Sequence, residues 1–327
     1  MINFSYTKPT TQKAAIDAIT KDGSAKIIAG GTNLVDLMKR GVTAPQKLID
    51  ITALPLKNIE QKNGFIRIGA LALNSTVAED ELIQKKFPLL ALALQAGASP
   101  QLRNMATVGG NMMQRTRCAY FYDTTMPCNK RTPGSGCGAL QGSNRMHAIF
   151  GATATCIAVH PSDMCVALAA LDAVVVVQNA RIERRIPFLQ FHKLAGTTPQ
   201  FDNTLQKDEL IIAVEIPENK FGNKVHYLKI RDRASYAFAL VSVAAALEMN
   251  GNNIANARLA MGGVAHKPWR LTAAESFLKG KEATVENFTA AATIAMKDAK
   301  GYGDNNFKLK MGRNAIVDTL KTIAEKS

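Results

Sequence analysis

All five cysteines of this 327-residue chain lie between Cys118 and Cys165, spaced C-x9-C-x8-C-x18-C-x8-C. No C-x2-C pair is present, which argues against a zinc finger or ribbon. An odd count also fits a disulfide framework poorly. Cys118, Cys128 and Cys137 stand among Pro127, Pro133, Gly134, Gly136 and Gly138, in a long stretch with little periodicity. Such stretches are uncommon in compact domains unless they carry function or are disordered. Four thiolates on an irregular loop suit a 4Fe–4S cluster, which takes one cysteine per iron and tolerates varied spacing. The candidate ligands are Cys118, Cys128, Cys137 and Cys156, with His147 and His160 as alternatives; the competing reading is a set of free buried thiols. Cys165 falls into helical register with Leu168 and Leu171 and reads as a small core residue.

Two glycine turns come before the cysteines. Lys26-Ile27-Ile28 reads as a short strand running into Ala29-Gly30-Gly31-Thr32-Asn33-Leu34, which opens a helix to about Arg40. The second turn is Ala106-Thr107-Val108-Gly109-Gly110-Asn111. Glycine admits positive φ and close backbone approach, so amides in such turns can cradle an anion. Neither turn matches G-x-G-x-x-G or G-x-x-x-x-G-K-[ST], so no Rossmann or Walker reading follows. Two such turns in one domain favour a phosphate-bearing cofactor.

The net charge of +14 calls for anionic partners, but no nucleic-acid module is present. The longest apolar runs, Val166–Val177 and Ala237–Leu247, are too short to span a bilayer. Met1–Tyr6 has neither a basic nor an apolar leader region, so the expectation is folding in the cytoplasm. The remaining elements are helices at about 10–22, 75–80, 87–98, 272–278, 285–299 and 311–325. Strands are expected at 47–51, 65–70, 173–179, 209–217, 225–230, 237–247 and 254–263.

Taken together, Ala29–Leu34, Ile68-Gly69-Ala70, Ala106–Asn111 and Ser162-Asp163-Met164 resemble, in this order, the motifs of the FAD-binding subunits of molybdenum hydroxylases. The resemblance spans essentially the whole chain. It implies an α+β fold with a two-subdomain FAD-binding domain of the vanillyl-alcohol-oxidase-like (PCMH) type over 1–217. Its subdomains would be about 1–55 and 56–217, with a cysteine-bearing insertion at about 112–160, followed by a C-terminal α+β domain over 218–327.

For FAD, the resemblance points to Ile27, Ile28, Ala29, Gly30, Gly31, Thr32, Asn33, Leu34, Gly69, Ala70, Ala106, Thr107, Gly109, Gly110, Asn111, Asp163 and Lys229. Tyr236 or Phe238 is expected to shield a flavin face. Members bearing an iron-sulfur insertion agree with the cysteine reading, and Arg115, Arg117, Lys130 and Arg131 are expected to offset the cluster's charge. The implied partners are a molybdenum-cofactor-binding large subunit, a 2Fe–2S small subunit and an external acceptor such as a ferredoxin. The implied activity is aldehyde oxidation, in the periplasm by co-export with a signal-bearing partner, or alternatively in the cytoplasm. A stand-alone flavin oxidase or NAD(P)H reductase, or an iron-sulfur regulator, is the competing class.

Overall fold

The structure, a computed structural model, describes residues 1–326. Three sheets organise it. The first is parallel, with β1 (Ser5–Thr7) and β2 (Lys26–Ile28) on either side of β3 (Lys47–Asp50). The helix Gln12–Lys21 connects β1 to β2; Thr11 Oγ1 caps it by accepting from the Ala14 amide, and Ala15, Ile16 and Ile19 form its buried stripe.

The second sheet is antiparallel, in the order β4 (Ile59–Lys62), β5 (Phe65–Gly69), β8 (Leu210–Pro217), β6 (Val174–Gln178), β7 (Glu183–Pro187). Central β8 is buried along seven of its eight residues, which explains why it is apolar but for Glu215. That acid is tied to Arg67 on β5 and to Arg185 on β7.

The third sheet, also antiparallel, runs β12 (Trp269–Arg270), β11 (Asn253–Gly262), β10 (Val241–Asn250), β9 (Val225–Ile230). Helices Thr272–Leu278, Val285–Ala295 and Phe307–Ala324 complete the C-terminal part. The expected strand 237–247 begins only at Val241, because β9 ends at Ile230 and leaves Ala237–Ala239 without a ladder partner.

The helix Asp163–Ala170 is buried on every side, as its apolar run from Met164 onward requires. It packs against both β10 and β11. Gly262 makes that approach possible, since a Cβ there would lie 2.5 Å from Val166 Cγ2. Residues 153–156 form a tight turn closed by an isolated Thr153–Cys156 bridge. No helix is long and apolar enough to cross a membrane among the described residues.

Candidate cofactor sites

A cavity of about 950 Å³ lies where the first sheet, the second sheet and the C-terminal region meet. That volume is at the upper end for ligand pockets and suits a dinucleotide. Every FAD candidate named from the sequence lines it except Gly69. Gly69 faces away: a Cβ there would lie 2.3 Å from the Leu56 carbonyl oxygen, so this glycine serves strand packing.

The first glycine loop behaves as an anion cradle. Gly31 sits at φ +69, a left-handed turn that glycine adopts without cost. Among the described residues, the amides of Gly30, Gly31, Thr32 and Asn33 donate no hydrogen bond. Backbone donors are rarely left unpaired, so these four are available to a ligand's oxygens. Gly30 is held to glycine by geometry, because a Cβ would lie 1.8 Å from the Met105 carbonyl oxygen. The two glycine segments therefore abut each other.

The second turn corrects the sequence reading. Its amides are spent inside the protein: Val108 donates to Ala72 O (3.0 Å), Gly109 to Ala70 O (2.8 Å) and Gly110 to Thr107 Oγ1 (3.2 Å). Gly109 is small because the turn presses on the end of β5, not because a ligand does: a Cβ there would meet Ala70 O at 3.1 Å. This turn supplies wall and side chains rather than free amides. Asn111 Oδ1 accepts from Ser162 Oγ at 2.5 Å, and Ser162 Oγ also accepts from the Cys165 amide to cap the helix 163–170.

Asp163 and Lys229 meet at 2.8 Å, with side chains only 8% and 4% exposed. Asp163 also accepts from Tyr227 Oη (2.7 Å), and Lys229 donates to Ala96 O (3.0 Å). Burial and the adjacent Asp163 carboxylate drive the Tyr227 hydroxyl well above its ordinary value, so it stays a proton donor. This buried, hydrogen-bonded pair fixes one end of the cavity. Tyr227 was not singled out from the sequence, where it reads as an ordinary β-strand aromatic. Asn74, buried on the wall with Oδ1 unpartnered, was likewise unforeseen and carries no local motif. Tyr236 and Phe238 both reach the wall. Tyr236 is a non-glycine residue at φ +51, and Arg233 donates to its carbonyl.

The four candidate cluster ligands converge. Cys128 and Cys137 pair across a small hairpin, with Asn129 N donating to Gly136 O (2.7 Å) and Gly138 N to Pro127 O (3.0 Å). Gly134 and Gly136 turn it at positive φ. Asn129 Nδ2 then donates to Thr155 O (3.0 Å) and draws in the Cys156 turn. Burial pushes the Cys118 thiol up to about 11, and Cys128 and Cys137 lie near enough to add to that rise. The neighbouring Cys156 thiol holds Cys137 well below its ordinary value. Nearby amides of Tyr120 and Phe121 favour the Cys118 thiolate, those of Ala139, Leu140 and Ile157 the Cys137 thiolate, and that of Ala158 the Cys156 thiolate. Thiols gathered under so many N–H donors match what an iron-sulfur cluster needs from a protein. Cys165 is fully buried on the helix 163–170, as expected, its thiol within 4.8 Å of ring nitrogens of His160 and His192.

The basic residues serve mainly the loop's own structure. Arg131 donates to the carbonyls of Tyr120 and Phe121 (2.9 Å each) and of Met126. Arg117 bonds Tyr122 Oη and stacks 5.1 Å from the Phe238 ring centre. Arg115 (2.7 Å) and Lys130 (2.5 Å) both pair with Asp202. Only Lys130 also acts on a candidate ligand, opposing the rise that Cys137 and burial impose on the Cys156 thiol. Of the alternative ligands, His147 Nε2 lies 3.1 Å from Cys118 Sγ, and burial pushes its imidazole down to about 4. His160 packs on His192 instead, ring centroids 4.4 Å apart.

Residues 2–219 match the FAD binding domain in molybdopterin dehydrogenase, and residues 226–322 the CO dehydrogenase flavoprotein C-terminal domain. The chain is 46% identical over 320 residues to the aldehyde oxidoreductase FAD-binding subunit PaoB of Escherichia coli, covering 97% of both chains. It is 28% identical to the glyceraldehyde dehydrogenase medium chain of Sulfolobus acidocaldarius, over 85% of this chain and 82% of that one. Among solved structures, carbon monoxide dehydrogenase from Hydrogenophaga pseudoflava superposes with a TM-score of 0.78 at 24% identity, covering 98% of each chain. Quinoline 2-oxidoreductase from Pseudomonas putida superposes at 0.77 and 23%, covering 99% and 98%. At those identities the structures speak to the fold alone, and they share its two-part α+β plan.

Proposed function

This chain belongs to the FAD-binding subunits of the molybdenum hydroxylases, and from that premise we propose that it is the FAD- and 4Fe–4S-carrying subunit of an aldehyde oxidoreductase. Bound here, FAD and the cluster would supply two-electron storage and one-electron relay respectively. Aldehyde oxidation would belong to a molybdenum-bearing large subunit, with electrons arriving through a 2Fe–2S small subunit and leaving to an external acceptor such as a ferredoxin. The observation that carries the cluster is that the hairpin pairing Cys128 with Cys137 is tied through Asn129 to the Cys156 turn and lies close to Cys118, with nearby amides favouring the thiolates of Cys118, Cys137 and Cys156. The relative at 46% identity supports the aldehyde class.

The chain's own residues have distinct parts in this reading. The free amides of Gly30 to Asn33 receive the diphosphate. The Asp163–Lys229 pair, with Tyr227, presents fixed polar atoms at the cavity wall. Phe238 and Tyr236 give apolar surface near the opening, where a flavin ring would be shielded from water. Cys118 follows directly on Arg117, which lines that same cavity, so the two cofactor sites are neighbours along the chain. These residues bind and orient, while the redox chemistry is the cofactors' own.

The test is anaerobic addition of an aldehyde to the complex assembled with its partner subunits. Bleaching of the flavin absorbance in the complex, and none in this chain alone, is the expected result. Bleaching by the isolated chain, or by NAD(P)H in place of the aldehyde, would favour the stand-alone reading.

A further inference from the structure

His147 is 5% exposed, and its Nε2 stands 3.1 Å from Cys118 Sγ. The C-terminal part of the chain holds it there. The His147 carbonyl accepts from Lys308 Nζ (3.0 Å) and Asn305 Nδ2 (3.3 Å). Its amide donates to Asn144 O (2.9 Å), and Asn144 Nδ2 donates in turn to Tyr302 O (2.7 Å). Lys308 is fully buried and gives its remaining hydrogen bond to Gly263 O (2.8 Å). A backbone fastened on this scale does not place an imidazole beside a sulfur by side-chain drift.

The proton's position follows from chemistry. A cysteine sulfur bonded to iron has no proton and can only accept, so the contact is a hydrogen bond when Nε2 carries the ring proton. Among the described residues nothing faces Nδ1; a proton there would be buried without an acceptor, whereas a proton on Nε2 has the sulfur. We propose that His147 donates a hydrogen bond from Nε2 to the Cys118 sulfur and so raises the reduction potential of the cluster assigned to the four thiols. The proposal rests on that assignment. The sign is electrostatic: an added electron increases negative charge on the sulfurs, and an N–H donor stabilises the more negative state. No bond to iron is made or broken, and the electron comes from the reductant used in the titration. Cys118 is also the ligand whose neighbour Arg117 lines the FAD cavity, so the tuned corner is the one on the flavin side.

The experiment is a mediator-poised redox titration of the holo-chain followed by EPR, in wild type, His147→Leu and His147→Gln. The leucine variant should titrate at a lower potential, and glutamine, which keeps an N–H donor, should fall between leucine and wild type. An unchanged midpoint in a leucine variant that keeps its four irons overturns the proposal. If the leucine variant loses its iron, pulsed EPR of 15N-histidine-labelled wild type and His147→Gln decides. A histidine coupling present in the first and lost in the second supports the donor, while the same coupling in both, or none in either, overturns it. His266, 4.0 Å from Cys156 Sγ, would contribute equally to both samples. Failure of the cluster assignment would show separately, as a wild-type chain without iron.

Discussion

Asp202→Asn removes the counter-ion of the most deeply buried cation in the insertion. Lys130 has a side chain 1% exposed, against 22% for Asp202, so the penalty for separating them falls on the lysine. Its remaining partner is Pro199 O at 2.7 Å; Arg115, which also pairs with Asp202, is 28% exposed and reaches water. Removing one partner of a buried pair typically costs about 3–5 kcal/mol.

The variant should therefore be less stable than wild type by about 3–5 kcal/mol at pH 7, with a deficit that shrinks toward pH 3 as the wild-type Asp202 contribution is lost. In wild type, Lys130 and Arg115 hold the Asp202 carboxyl well below its ordinary range against the opposing effect of burial. That contribution is present above the unfolded carboxylate value, near pH 4, and is lost as acid passes toward the folded value. Urea unfolding of both proteins at pH 7 and pH 3, followed by circular dichroism, measures the difference. Adding Lys130→Met to Asp202→Asn should recover part of the loss, because no buried charge remains. A deficit below about 1 kcal/mol at pH 7, or one equally large at pH 3, would refute the reasoning.

Three further outcomes follow from the sites. Gly30→Ala, whose Cβ would lie 1.8 Å from Met105 O, should lower the flavin content of purified protein at least about tenfold, or about 1.4 kcal/mol in FAD affinity. Gly110→Ala, with its nearest neighbour at 3.0 Å, should keep most of its flavin; equal losses would contradict the division of labour between the two turns. Serine at Cys118, Cys128, Cys137 or Cys156 should lower bound iron, whereas Cys165→Ala should keep it, as read by colorimetric iron assay. Lys229→Met leaves Asp163 buried with Tyr227 as its remaining side-chain donor and should cost about 3–5 kcal/mol as well as FAD affinity, measurable by denaturation and flavin titration.

Much of the fold was legible because its elements carry the pattern their burial demands. The run Leu210–Pro217 is apolar but for the ion-paired Glu215 because it is the central strand of five. Thr11, Ser162 and Thr284 cap their helices, each side chain accepting from an amide three residues on. What escaped was set at long range. Ser5–Thr7 is exposed along its length and is a strand only through parallel pairing with Lys47–Ile49. The last helix begins at Phe307, ahead of the expected Met311, because Lys308 is drawn inside by two carbonyls, and a lysine reads as surface. The two glycine turns look alike in sequence, yet only the first leaves its amides free. The difference lies in what packs behind them: Ala70 and Ala72 carbonyls consume the second set. The cysteines were legible as a cluster, but not the amides aimed at them, which depend on how the hairpin 127–138 and the turn at 153–156 close on each other.

The central claim is that one chain carries both cofactors, and counting them is its most direct test. Protein purified without air should contain about one FAD and about four irons with matching acid-labile sulfide per chain, with flavin bands over a broad iron-sulfur absorption. Stoichiometric FAD with no iron in a correctly folded chain would contradict the account, leaving the four convergent cysteines as buried thiols.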